Sequence, residues 1–408
     1  MLSPRRPWEG RRVVLGVTGG IAAYKSVQVA RDLALLGAQV DVILTSAAER
    51  FVGGPSFEGV TGRPALTQLF SVEGAALHLR LGREADAIVV APATADLLAR
   101  AAQGRADDLL TTTLLATKGP VILCPAMNDR MFAHSQVQRN LTHCRDVLGY
   151  RIAGPSTGAL AAGEGEGTGR MLEPDTIVQH VGRALGESTA FRGRCVLITS
   201  GPTREAVDPV RFVGNRSSGR MGHALAEAAW RRGAEVTVVS GPVSVDPPVG
   251  AEVVRIDTAV EMRDAVAGRI GSADVVLFAA AVADFRPEEA QLSKVKRSGG
   301  ESSLDLHMVA NPDVAVETRS ARKTGAFVVG FALETEDLVE NARLKLESKG
   351  FDLVVANPAG VVGAGFESDT NQVTMVGPDG ATEVLASMDK DAVADAVLDR
   401  VDALLSAR

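Results

Sequence analysis

The sequence predicts an α/β protein made of two Rossmann-like three-layer domains with mostly parallel sheets. Three observations predict it: the length, and a strand–glycine turn–helix–strand pattern that occurs near the N-terminus and again near residue 195. At 408 residues the chain is longer than one hydrophobic core usually supports, so two domains are expected. Hydrophobic residues at 46% and charged residues at 23% place it among globular chains rather than disordered ones.

In the first half, residues 13–17 (VVLGV) form a β-branched run typical of a buried strand. Thr18-Gly19-Gly20 is a turn. Ile21, Tyr24, Val27, Leu33 and Leu36 then recur at helical spacing, Gly37 is a stop signal, and residues 40–44 read as the next strand. A βαβ unit with glycines after its first strand places backbone N–H groups where a phosphate could sit. The glycines do not follow the G-x-G-x-x-G order, so a plain tight turn remains open. In the second half, residues 196–199 read as a strand, Ser200-Gly201-Pro202-Thr203 as a turn, 221–232 as a helix and 235–239 as a strand. Residues 184–194 are polar with little periodicity, which sets the predicted domains at 1–189 and 190–408. Further strands are expected at 87–90, 121–124, 275–279, 327–330 and 353–356. Strands that alternate with helices imply parallel sheets with sites at the strand C-terminal ends.

Composition excludes several function classes. A net charge of −7 gives no basis for a nucleic-acid or anionic-membrane partner. Cys124, Cys144 and Cys195 form no C-x-x-C pair, which argues for a reducing compartment and against a disulfide scaffold or zinc site. The opening MLSPRRPWEGRR and the short apolar run behind it read as neither a signal peptide nor a membrane span. Cytoplasm is the default location. Arginine outnumbers lysine 35 to 8, yet five lysines (Lys294, Lys296, Lys323, Lys345, Lys349) fall between 294 and 349. Lysine is a compact point charge where arginine is a planar fork. The cluster therefore reads either as an anion site or as ordinary solvated surface.

Several N-terminal segments carry chemistry. Thr45-Ser46-Ala47 ends the second strand with hydroxyls, and Ala91-Pro92-Ala93-Thr94-Ala95 joins a strand to a helix. Pro125-Ala126-Met127-Asn128 follows another strand. Residues 163–171 (GEGEGTGRM) form a glycine-rich flexible stretch suited to a lid. His78, one of six histidines, is either a base or a structural residue. Together with Gly16-Val17-Thr18-Gly19-Gly20-Ile21-Ala22-Ala23, Ala106-Asp107-Asp108-Leu109-Leu110 and Gly167-Thr168-Gly169-Arg170-Met171, these segments resemble the flavin-dependent cysteine decarboxylases, specifically phosphopantothenoylcysteine decarboxylase. The resemblance covers roughly residues 10–182.

It implies that FMN oxidises the substrate's cysteinyl thiol to a thioaldehyde, the carboxylate leaves as CO2, and the enethiol takes back a hydride and a proton. His78 matches the family's active-site histidine and Asn128 the asparagine on the substrate carboxylate. Gly19, Gly20, Ser46 and Thr94 match the flavin-phosphate region. One departure stands out. The family's lid reads Leu-Ala-Cys-Gly, its cysteine donating the last proton, whereas this chain has Leu160-Ala161-Ala162-Gly163. Cys124, at a strand end, is either a substitute donor or inert packing.

In the C-terminal half, Asn215-Arg216-Ser217-Ser218-Gly219-Arg220-Met221-Gly222 gathers donors and small residues before a helix, as an anion site would. A capped helix start explains only its serines. Ala279-Ala280-Ala281-Val282-Ala283-Asp284-Phe285 follows a strand with small residues, as if a flat ring approaches the backbone. Lys294-Val295-Lys296-Arg297, Asn311-Pro312-Asp313 and Gly330-Phe331-Ala332-Leu333-Glu334-Thr335 lie after other predicted elements. Lys345 and Lys349 share one helix face, and Leu338, Ala342 and Leu346 form the apolar stripe that would dock it.

With Ser200-Gly201-Pro202-Thr203-Arg204-Glu205, Asp208-Pro209-Val210-Arg211 and Phe366-Glu367-Ser368-Asp369, this set resembles phosphopantothenate–cysteine ligase over about 192–385. The resemblance implies nucleotide contacts at Phe278, Ala279, Ala280, Asp284, Lys294, Pro312, Asp313, Val314, Ala315, Phe331, Lys345 and Lys349. It also implies that Asn215 holds an acyl-nucleotidyl intermediate and Lys294 assists transfer, with Mg2+ on the triphosphate. CTP is the nucleotide implied; the residues alone leave CTP and ATP open, and name no metal ligands.

Decarboxylase first and ligase second is the order of the bifunctional bacterial proteins that convert 4′-phosphopantothenate and cysteine to 4′-phosphopantetheine for coenzyme A. By the same analogy the decarboxylase halves trimerise around shared flavin sites and the ligase halves dimerise, a homo-oligomer with the symmetry of a dodecamer. Two alternatives are open at this stage: a ligase whose N-terminal half only binds flavin or aids assembly, as Ala162 would permit, and a non-enzymatic flavoprotein regulator.

Overall fold

The computed structural model describes residues 6–70, 76–186, 190–296, 304–334, 336–358 and 370–407, and the chain divides after Gly186 into two compact units. In the N-terminal unit, the apolar runs become five parallel strands in the order Gln39–Leu44, Arg12–Val17, Ala87–Ala93, Val121–Pro125, Arg151–Ile152. Strand residues alternate between faces. Val13, Leu15, Val17 and Val89 pack with Val29 and Leu33 of helix Lys25–Leu35 and Ile177 and Val181 of helix Pro174–Gly186. Val14, Ile88 and Val90 pack on the other face against Leu97 and Leu98 of helix Ala95–Ala102 and Leu110 of helix Leu109–Ala116. A sheet covered on both faces requires near-continuous apolar strands, and that is why these runs are legible.

The C-terminal unit holds an eight-stranded sheet in the order Ala251–Arg255, Glu235–Ser240, Cys195–Ser200, Val275–Phe278, Phe327–Glu334, Leu353–Pro358, Thr374–Val376, Thr382–Val384. The first six strands are parallel and the last two antiparallel. Val196, Ile198 and Val238 face Leu225 of helix Arg220–Arg231 and Val397 of helix Lys390–Ser406. Leu197, Val239 and Val276 face Met262 and Val266 of helix Ala259–Ala267. The predicted α/β class with two three-layer, mostly parallel sheets is what forms.

In both sheets the first strand in sequence has its successor on one side and a later strand on the other. Such a reversal leaves a crevice outside the strand C-termini. The expected helix over 21–36 starts as a 3-10 turn, Ile21–Tyr24, before Lys25–Leu35. The expected strand 275–279 ends at Phe278, which frees Ala279 for the following loop. The stretch expected to be a flexible lid is largely a hairpin: Glu166–Arg170 pairs antiparallel with Ser156–Ala159. Among the described residues no helix is long and apolar enough to cross a membrane.

Candidate active sites

A cavity of about 800 Å3 opens where Arg12–Val17 and Ala87–Ala93 end, large enough for a cofactor-sized ligand. Gly19, Gly20, Ser46, Thr94 and Asn128 all line it. Thr18 Oγ1 donates to the Pro92 carbonyl at 2.7 Å and ties the two strand ends together. Gly19 is needed for close approach, because a Cβ there would lie 2.4 Å from the Ala47 Cβ. Thr94 caps helix Ala95–Ala102 by accepting from Leu97 N–H. Backbone brought close by glycine, with hydroxyls beside it, suits a phosphate, and the volume beyond leaves space for a ring system.

The hairpin forms one side of this cavity. Met127 N–H donates to the Gly169 carbonyl at 2.9 Å, and a Cβ on Gly169 would fall 2.1 Å from the Met127 carbonyl. Glycine therefore lets the hairpin lie directly on the Met127–Asn128 turn. Leu160, Ala161 and Glu164 reach the cavity from its connecting loop. The Asn128 amide Nδ2 donates to Glu164 Oε2 at 3.0 Å, while its Oδ1 accepts from Arg130 N–H at 2.9 Å.

One expected participant, His78, stands elsewhere, as does Cys124, which the sequence leaves open between donor and packing. His78 lies in helix Leu77–Glu84, whose Leu77 and Leu81 pack into the core, and it is absent from the cavity lining. Its Nδ1 is buried without a hydrogen-bond partner. Cys124 is wholly buried in the core and does not reach the cavity. Burial pushes its thiol up to about 12, so its packing reading is the right one. Ala162 is exposed in the hairpin connection. The cavity also exposes groups not singled out from sequence: Lys25, paired with Glu173 at 2.9 Å, and Arg100, paired with Asp108 at 2.8 Å.

The second cavity, about 680 Å3, opens at the ends of Cys195–Ser200 and Val275–Phe278. One wall is backbone. Ala279 and Ala281 N–H groups donate to Thr199 and Gly201 carbonyls at 3.2 and 2.9 Å. Ala280 and Ala283 N–H groups donate to the hydroxyls of Thr199 and Thr203 at 3.2 and 3.0 Å. Asn215 Nδ2 donates to the Val282 carbonyl at 2.8 Å and joins the wall to the Asn215–Gly222 segment. Gly222 lets the start of helix Arg220–Arg231 approach the strand end, since a Cβ there would lie 2.4 Å from Ser200 Oγ.

Two lysines also reach the cavity. Helix Leu338–Lys349 docks through Ala342 and Leu346, as its stripe predicts, and Lys345 and Lys349 line the cavity. Lys345 Nζ lies 2.5 Å from Glu334 and Lys349 Nζ 2.8 Å from Asp313. Burial alone would raise the Asp313 carboxyl, but Lys349 and the N–H groups of Val316 and Ala315 hold it below the ordinary range. Phe278, Ala279, Ala280, Asp284, Pro312, Asp313, Val314, Ala315 and Phe331 share this lining with Asn215.

Lys294 does not join them. It is exposed, in a loop whose Val295 is pinned elsewhere: Val295 N–H donates to Asp208 at 3.1 Å, and Arg211 donates to the Val295 carbonyl at 2.7 Å. Arg297, Thr335 and Phe366-Glu367-Ser368-Asp369 lie outside the described residues. Asn357, Asn371 and Lys390 line the cavity without having been expected there, and Asn357 Oδ1 is buried without a partner. No cluster of three or more His, Cys, Asp or Glu placed to hold a metal ion occurs among the described residues.

The comparisons with known proteins divide as the structure does. Residues 1–186 match the Flavoprotein family, and 191–405 match the DNA/pantothenate metabolism flavoprotein C-terminal domain. The coenzyme A biosynthesis bifunctional protein CoaBC of Vibrio parahaemolyticus is 41% identical over 398 residues, covering 97% of this chain and 99% of the relative. That of Mycobacterium tuberculosis is 42% identical over 411 residues, with 97% of each chain covered. That of Bacillus subtilis is 43% identical over 402 residues, again with 97% of each covered. A crystal structure of the C-terminal domain of a CoaBC protein is 35% identical, covering 54% of this chain and all of that one at a TM-score of 0.46. Matches of this extent span both units, so the chain belongs to the family of coenzyme A biosynthesis bifunctional proteins, with a flavoprotein domain followed by a pantothenate-metabolism domain.

Proposed function

We propose that the C-terminal unit, 190–408, joins 4′-phosphopantothenate to cysteine at the expense of CTP. We further propose that the N-terminal unit, 1–189, decarboxylates the product with FMN to give 4′-phosphopantetheine. The observation that carries the reading is the second cavity. Its hydrogen-bonded backbone wall, Ala279–Ala283, can receive a flat base, and Lys345 and Lys349 line the same cavity and could meet phosphates. A regulator with no chemistry to perform has no need of that set. A ligase-only chain is not favoured either, because the bifunctional relatives match through both units.

In the ligation, the carboxylate of 4′-phosphopantothenate attacks the α-phosphate, pyrophosphate leaves, and the acyl-cytidylate passes its acyl group to the amine of cysteine. An incoming triphosphate would compete with Glu334 and Asp313 for Lys345 and Lys349, exchanging carboxylate partners for phosphate ones. Asn215 would hold the acyl intermediate against the wall it already braces. Mg2+ would enter with the triphosphate as part of the substrate and offset its charge. Lys294 would act only after its loop moves from the position in which Val295 is pinned.

In the decarboxylation, Gly19, Gly20, Ser46 and Thr94 would hold the flavin phosphate, and Asn128 the substrate carboxylate. Bound flavin supplies the two-electron oxidation that turns the thiol-bearing carbon into an electron sink. His78 lies off its own chain's cavity, so the shared sites of a trimer would bring in the histidine of a second copy as the base.

A paired assay on the purified chain tests the reading. Pyrophosphate release from CTP with 4′-phosphopantothenate and cysteine is expected, as is CO2 release from phosphopantothenoylcysteine. Absence of the first would overturn the main claim.

A further inference from the structure

We propose that Glu164 is the acid that completes decarboxylation in this chain, delivering a proton to the carbon that CO2 has left. The inference rests on the decarboxylase reading above. It starts from a vacancy: position 162 is alanine, and Cys124 is sealed in the core. That leaves the other groups lining the cavity as donors, beside the second copy's histidine that the reading above uses as the base.

The carboxyl groups lining it among the described residues are Asp96, Asp108 and Glu164. Asp108 is committed to Arg100 at 2.8 Å and to capping Thr111 N–H at 2.8 Å. Asp96 points its carboxylate to solvent, with a side chain 80% exposed and Arg100 at 3.7 Å. Lys25 and Arg170 both pair with Glu173, and the phenol of Tyr24 is a far weaker acid than a carboxyl. Glu164 is the one placed by a contact that carries information. Its Oε2 accepts from Asn128 Nδ2 at 3.0 Å, and in the decarboxylase reading that amide holds the substrate's carboxylate.

Asn128 thus marks one position for two carboxyl groups in turn. With substrate bound, the leaving carboxylate holds the amide and Glu164 is displaced within the connecting loop of the hairpin. Once CO2 departs the amide is free, Glu164 returns to it, and its carboxyl arrives beside the carbon that needs a proton. Glu164 lies two residues from Ala162 in the same loop, so the acid moves along the lid rather than across the site.

The step balances. The Glu164 O–H bond breaks, and the C=C pair of the enethiolate forms a C–H bond at the carbon CO2 has left. The sulfur charge is drawn in to make a thioaldehyde. That group would then be reduced to the thiolate by the two electrons that bound flavin, reduced in the first oxidation, would return. The Glu164 carboxylate, exposed to solvent, takes its next proton from hydronium or a buffer acid.

Anaerobic single turnover of the flavin-loaded chain with phosphopantothenoylcysteine tests this, following flavin absorbance and product mass. Wild type is expected to release CO2, reoxidise its flavin and yield the saturated thiol. Glu164→Gln should still release CO2 but leave the flavin reduced about 100-fold longer, with a product two hydrogens lighter. Adding Ala162→Cys to that variant should restore the saturated thiol. Retained flavin content and unchanged ligation would show that Glu164→Gln is folded. Saturated product at the wild-type rate from Glu164→Gln overturns the proposal, and so does a wild type that stops at the enethiol. A wild type that releases no CO2 sinks the decarboxylase reading itself, a visibly different failure.

Discussion

The two cavities sit at the same place in the topology and prepare for anionic ligands in opposite ways. In the C-terminal unit the wall is backbone whose N–H groups donate to Thr199, Gly201 and Thr203, and the charge is two lysines held by Glu334 and Asp313. In the N-terminal unit one side is a hairpin that rests on Met127 and Asn128, hydroxyls stand around the glycine turn, and Lys25 and Arg100 are held by Glu173 and Asp108. In the C-terminal unit every expected nucleotide contact except Lys294 lines one cavity. The N-terminal site needs a lid and, in the proposed reading, a histidine from another copy. Rigid walls suit a site that must discriminate a nucleotide, and a hairpin suits one that must exclude water during a redox cycle.

The sharpest way to break this comparison is to damage one site and read both reactions on the same sample. Asn215→Ala removes the amide that braces Val282 and, in the reading above, holds the acyl intermediate. Pyrophosphate release coupled to ligation is expected to fall about 100-fold, with CO2 release unchanged. Equal losses in both assays would show that the units are not chemically separable. Gly19→Ala is the mirror experiment. The new Cβ would meet the Ala47 Cβ at 2.4 Å and its carbonyl carbon at 2.8 Å, and neither is the end of a flexible side chain. Flavin affinity should drop at least about tenfold, equivalent to about 1.4 kcal/mol. The check is flavin absorbance after gel filtration, with ligation retained; full flavin content would refute the close-approach argument.

A smaller effect separates the lysines from the wall. In the proposed ligation Lys349→Ala should raise the KM for CTP about tenfold while kcat changes less, because the proposed ground-state phosphate contact would be lost and Asp313 left without its Lys349 partner. A kcat loss with KM unchanged would place Lys349 in the transition state instead.

How far the sequence could be read follows the same division. Strands buried on both faces must be apolar throughout, so residues 13–17, 87–90, 196–199 and 275–278 are legible from composition and length alone. The backbone wall is legible because only small residues let a ring approach, and the alanines at 279–281 and 283 satisfy that. The hairpin is not legible, because Ser156–Ala159 and Glu166–Arg170 are small or polar on both faces and show no alternation. Nor is the place of Lys294, which is set by Arg211 and Asp208 more than eighty residues away in sequence. Asn357 reaches the cavity through strand order beyond Phe327–Glu334, and Asn371 through a short pairing of Thr370–Asn371 with Met388–Asp389; no local pattern encodes either.

The least drastic prediction concerns the anchor of the Lys294 loop, which has no equivalent in the N-terminal hairpin. Asp208 accepts from Arg211 Nη2 at 2.5 Å and Nε at 2.9 Å, from the N–H groups of Val210 and Arg211 at 2.8 and 2.9 Å, and from Val295 N–H at 3.1 Å. The Arg211 guanidinium, then these N–H groups, hold its carboxyl well below the usual carboxylate range. A carboxylate whose folded pKa is depressed stabilises the fold above its unfolded value, about 3.9, and loses that contribution as pH falls from there toward the folded pKa. Asp208→Asn removes the charge and with it the pH dependence. The variant should therefore melt below wild type at pH 7, and the gap should narrow as the pH drops below about 4. The chain has two tryptophans, Trp8 in the N-terminal unit and Trp230 in the C-terminal one. Fluorescence of Trp230 in a Trp8→Phe background reports the unit that contains Asp208, and Trp8 in a Trp230→Phe background reports the other. The N-terminal signal should be indifferent to Asp208→Asn at every pH. A C-terminal gap that stays constant on acidification would mean that Asp208 stabilises by shape and neutral hydrogen bonding rather than by its charge.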